Sequence, residues 1–103
     1  MAKAKANPKT KTLVYDVAEQ LRTPEEMAAY LDAWFIEAPD DAAGIARALG
    51  DIARAKGMTQ VARDAGLSRE SLYKALSQNG NPSFATVLKV ARALGVRLHA
   101  EAA

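Results

Sequence analysis

The stretch TQVARDAGLSRESLYKAL, residues 59 to 76, restricts this chain more than any other, because it encodes two short helices and a tight turn within eighteen positions. Val61, Ala62 and Ala65 share one face, and Gly66 supplies permissive backbone where that helix must stop. Leu67 is an apolar plug for the turn, and Ser68 is placed to cap a second helix whose Leu72, Ala75 and Leu76 again fall on one side. The spacing predicts a helix from about Thr59 to Ala65, a three-residue turn, and a helix from about Arg69 to Leu76. Ala62 suits the arrangement, since two helices that cross steeply across so short a turn leave little room for a larger side chain.

The second helix leaves Arg69, Glu70, Ser71, Tyr73, Lys74 and Ser77 on the outside. These donors and acceptors are long enough to reach base edges in the major groove of duplex DNA. An arginine pairs with guanine O6 and N7, and a glutamate accepts from cytosine N4, each good contact discriminating by about 1–3 kcal/mol. Tyr73 either meets a base or phosphate or packs on a neighbour. Two surface helices that are merely polar outside would show the same letters, but here size spacing, turn chemistry and local charge agree.

The remaining chain reads as further helices. Thr23 as a cap, Pro24 at the first helical position and Glu26 three residues after the cap form a capping box. Behind it Met27, Tyr30, Leu31, Trp34 and Phe35 recur with helical spacing, and the helix ends before Pro39. That stripe is read as core, with a partner-binding face as the competing reading. A second helix starts near Asp40 or Asp41, carries Ile45, Leu49, Ile52 and Ala53 inward and stops at Gly57; Gly44 and Gly50 weaken its own propensity, so packing must hold it. The last helix runs from a Ser83 cap through Phe84, Val87, Leu88, Ala91 and Leu94 to Gly95. Val96 and Leu98 alternate with Arg97 and His99, which predicts a short terminal strand, and Leu13 to Leu21 is open between a strand and a helical turn.

At 103 residues, with half of them hydrophobic, one compact all-α domain is expected, and a large catalytic cleft would be hard to build. The net charge of +2 conceals a partition: residues 1–12 carry +4, residues 13–53 carry −7 and residues 54–103 carry +5. A basic C-terminal half suits phosphates, whose neutralisation releases counterions, and an acidic middle suits a basic protein instead. Residues 1–12 are polar and basic without a hydrophobic period and read as a mobile tail that either touches phosphates or merely solubilises. Residues 13–38 read as a helical extension and residues 39–99 as the DNA-binding domain. The chain has no cysteine and no apolar run of about 20 residues, which predicts a cytoplasmic protein with no membrane partner.

Catalysis has little to build on. His99 is the only histidine and has no thiolate beside it, so neither a metal nor another cofactor is expected. Ser68, Ser71, Ser77 and Ser83 lack a base at motif spacing, while Glu25, Glu26, Asp40 and Asp41 sit where caps and helix dipoles explain them. No glycine has the strand-to-helix context of a phosphate loop.

The same residues resemble the helix-turn-helix proteins of the phage-repressor and Xre-like class, and the resemblance extends through NPSFATVLKVARALGV, residues 81–96. More narrowly, residues 50–95, together with YDVAEQL and the helix ending in AAYLDAWF, resemble the addiction-module antidote proteins, antitoxins encoded beside RelE-like or HigB-like toxins. Between Gln60 and Gly66 the spacing is two residues shorter than in the wider Xre pattern. The resemblance implies a five-helix lambda-repressor-like fold with an N-terminal extension. It also implies an antitoxin that binds operator DNA, represses its own operon and neutralises a toxin, and a homodimer is expected because two-fold pairing is the usual way so small a reading head gains affinity. Base reading falls to Arg69, Glu70 and Lys74, and a backbone contact to Ser68. A prophage-type repressor without a toxin is the alternative, and a protein-interaction domain that has lost DNA binding is a third.

Overall fold

The computed structural model describes residues 21–77 and 80–103. Over them the chain forms five helices: α1 (Pro24–Glu37), α2 (Ala42–Lys56), α3 (Met58–Ala65), α4 (Arg69–Ala75) and α5 (Phe84–Leu94). The basic tail expected over 1–12 and all but Leu21 of the ambiguous element at 13–21 lie outside the described residues.

Side-chain caps set most helix starts. The Thr23 hydroxyl accepts from the Glu26 N–H at 3.1 Å, and the Glu26 carboxylate accepts from the N–H groups of Thr23 and Arg22, which completes the capping box of α1. Asp41 accepts from the Gly44 N–H at 2.8 Å to open α2, and Ser83 accepts from the Thr86 N–H at 3.1 Å to open α5. The start of α3 is the exception: Gly57, at φ 120°, precedes Met58 with no side-chain cap, so the helix begins one residue before the polar Thr59.

The turn between α3 and α4 fixes their geometry. Gly66 sits in the left-handed region at φ 73°, and the Leu67 N–H reaches back to the Ala62 carbonyl at 2.9 Å. This closure satisfies a carbonyl that the helix end would leave open and is available at little cost only to glycine. Helices α3, α4, α2 and α5 then meet over one core in which Ile52, Val61, Leu72, Val90 and Leu94 are fully buried. Leu21, Met27 and Leu31 join the same cluster from the α1 side. Gly50 belongs to the close approach of α2 to the end of α4: a Cβ there would lie 3.0 Å from the Leu76 carbonyl oxygen.

Three expectations change. The stripe of α1 divides, with Met27 and Leu31 buried, Tyr30 and Trp34 half-buried against the core, and Phe35 exposed. In α5 the inner face is Val90, Ala91, Ala93 and Leu94 with Val87 half-buried, so Phe84 (70% exposed) and Leu88 lie outside it. Residues 96–98 form no strand, since no other strand is present among the described residues to pair with them and the Val96 N–H is already given to the Ala91 carbonyl at 2.9 Å.

Candidate nucleic-acid interface

Helix α4 is held by its inner side, Leu72 at 0% and Leu76 at 2% exposure, which leaves the opposite face to solvent. Successive residues turn by about 100° around a helix. Glu70 and Lys74 therefore point most directly away from the core, Arg69 and Tyr73 lie on the flank toward the start of α3, and Ser71 lies on the other flank. All five are exposed, as is Ser68.

The sequence placed Ser68, Arg69, Glu70, Ser71, Tyr73 and Lys74 together, and the fold adds detail to each role. The Ser68 hydroxyl is already occupied as a cap: it accepts from the Ser71 N–H at 3.0 Å and donates to the Ser71 hydroxyl at 2.8 Å. The Arg69 guanidinium lies 5.4 Å from the centre of the Tyr73 ring and donates to its hydroxyl at 3.4 Å. Of the two roles open to Tyr73, packing on a neighbour is what the free protein shows, and the neighbour is Arg69. The stack places a cation over an aromatic face, worth about 0.5–1 kcal/mol at an exposed site, so the arginine starts from a preferred pose that is easily left.

Beside this flank the fold opens a concavity of about 620 Å³ between the end of α2, the start of α3 and the start of α4. Arg54, Thr59, Gln60, Arg63, Arg69 and Tyr73 line it, together with Gly57 and Met58, and no carboxylate does. Three guanidinium groups, two neutral polar side chains and a phenol fit a polyanion that lies along a surface better than a small molecule that must be enclosed. Arg54, Thr59 and Gln60 were not among the expected site residues. They come from different helices, and only the signal in RAKGMTQVAR, polar and basic residues around Gly57 with no acid, points to them.

Arg54 has a defined pose. Its Nη2 donates to Asp51 Oδ1 at 2.6 Å, and the other oxygen of the same carboxylate accepts from the Tyr30 hydroxyl of α1 at 3.0 Å. Burial, reinforced by the Asp51 carboxylate, pushes the Tyr30 phenol above its ordinary value, so the hydroxyl keeps the proton it donates. On the same side of α2, the Arg47 guanidinium lies 5.9 Å from the centre of the Trp34 ring.

Helix α1 contrasts with the groove. Between Pro24 and Glu37 it carries Glu25, Glu26, Asp32 and Glu37 and no basic residue, and its exposed face includes Phe35 and Ile36. No helix among the described residues is long and apolar enough to cross a membrane.

A family model described as probable addiction module antidote protein matches residues 11–102. The chain belongs to that family. A Haemophilus influenzae protein described only as uncharacterized is 54% identical over 87 residues, which cover 84% of this antidote-family chain and 88% of that protein. No solved structure matches the chain.

Proposed function

We propose that this antidote-family protein is a sequence-specific DNA-binding antitoxin that neutralises a RelE-like or HigB-like toxin and represses its own operon. It acts in the cytoplasm, without catalysis and without a cofactor, as a homodimer. Two-fold pairing is how so small a reading head spans two half-sites and gains affinity.

The observation that carries the DNA half of this reading is the α3–turn–α4 pair, which presents Arg69, Glu70, Ser71, Tyr73 and Lys74 outward beside a groove lined by three arginines and no acid. Ser68 fixes the start of the reading helix, Glu70 and Lys74 are placed to reach base edges, and Arg69 leaves Tyr73 to do the same. The toxin half is supported by the family and by the base-free acidic face of α1, which suits a basic partner.

The test is a titration of the protein with the DNA upstream of its own gene, with Arg69→Ala and Lys74→Ala measured in parallel. Arg69→Ala is expected to weaken cognate binding by about 1–3 kcal/mol and to relax preference at one base pair, while binding and neutralisation of the toxin survive. Unchanged affinity in both variants would remove α4 from the DNA interface. Loss of neutralisation would place the toxin on the reading helix.

A further inference from the structure

We propose that Arg54 is a ligand for the phosphodiester backbone of duplex DNA, held in its groove from α1 by the Tyr30 hydroxyl acting through Asp51. The inference rests on the DNA-binding reading and extends it to a residue outside the reading helix and to a device that sets that residue's pose.

The geometry points there in three steps. First, Arg54 lines the same concavity as Arg63 and Arg69, and although Asp51 pairs with Arg54, no carboxylate is part of the lining itself. Three guanidinium groups along an open groove fit the repeated negative charge of a DNA strand. Second, Asp51 takes up one of the five N–H donors of a guanidinium whose side chain is 49% exposed, so donors remain for a phosphate. Third, Asp51 cannot swing freely, because Tyr30 occupies its second oxygen from a helix that packs on α2. A long arginine normally loses considerable rotamer freedom when it binds; one already held at its fork loses less. Tyr30 is thus a positioning residue, and Arg54 makes the contact.

Binding of the full chain to a short mixed-sequence DNA duplex, measured between roughly 50 and 200 mM salt, separates the roles. Each phosphate contact contributes about 0.9 to the slope of log affinity against log salt. Arg54→Gln is expected to reduce that slope by about 0.9, so that affinity falls about 3.5-fold less than the wild type's over the same fourfold rise in salt. Arg54→Lys keeps the charge and is expected to keep the slope while binding more weakly. Tyr30→Phe removes only a hydroxyl and leaves the charge in place, so the slope stays and the dissociation constant rises by up to about fivefold, the ordering cost of one long side chain. In the Arg54→Gln background Tyr30→Phe should add nothing, a non-additivity that loss of stability alone would not produce. Wild-type slope and affinity in Arg54→Gln would overturn the proposal and leave the DNA-binding reading standing. Additive effects of the two substitutions would overturn the link to Tyr30. A wild-type protein that binds no duplex would overturn both.

Discussion

Adjacent residues of α4 should behave oppositely. Leu72 is fully buried, and Tyr73 is 43% exposed. Leu72→Ala removes three carbon atoms from the core, and at about 0.8 kcal/mol for each buried methylene the lost transfer energy is roughly 2.4 kcal/mol. A rigid cavity would add up to about 2 kcal/mol more. The seven-residue α4 can lean into part of that space, so the expected loss is about 3 kcal/mol. So short a helix has no independent stability to fall back on. Tyr73→Ala leaves the core intact and loses only the exposed Arg69 stack, so its cost should stay within about 1 kcal/mol. Urea titration followed by far-ultraviolet circular dichroism reads both: the midpoint of Leu72→Ala falls with an unchanged slope, and that of Tyr73→Ala hardly moves. A loss below about 1 kcal/mol for Leu72→Ala, or a larger loss for Tyr73→Ala, would refute this packing of α4.

Two further stability predictions concern helix ends. Gly66→Ala puts a Cβ into open space, so its cost is the left-handed backbone alone, about 1–2 kcal/mol in a thermal or urea melt; Gly66→Asn should cost less. The N–H of Arg22, and after it that of Thr23, hold the Glu26 carboxyl below its ordinary value. The folded value is the lower one, so the stabilisation is complete above the ordinary glutamate range and is lost as pH falls through the lowered value. Glu26→Gln should therefore flatten the acid side of the stability profile, and an unchanged acid side would deny the capping box any role there.

Local chemistry explains which parts of this fold can be read from the letters. Thr23, Asp41, Ser68 and Ser83 cap the helices that the sequence predicts, and Gly57, Gly66 and Gly95 stop them, because a cap or a left-handed residue acts within four positions of itself. Periodicity marks an apolar side but not where its centre meets a neighbour. In α5 the centre falls near Val87, Val90 and Leu94, which turns Phe84 and Leu88 to solvent although they belong to the same run. Phe35 is exposed for the same reason. Val96 and Leu98 alternate as a strand would, but strand pairing is a property of two segments, and Val96 is already tied to the end of α5. The outward face of α4 is legible because its residues lie within one seven-residue helix. The groove is less so, since Arg54 and Arg69 come together only when Gly57 and Gly66 have turned the chain twice.

The chain has a single tryptophan, and it lies between the acidic helix and the rest of the molecule, half-buried on the core with Arg47 over its ring. Trp34 is therefore a built-in optical reporter for the docking of α1 on α2. Its emission should respond to a partner that settles on α1, whereas α4 contributes only Tyr73 and is silent when tryptophan alone is excited. Emission from Trp34 is therefore expected to distinguish a partner that engages α1 from one that engages α4 alone.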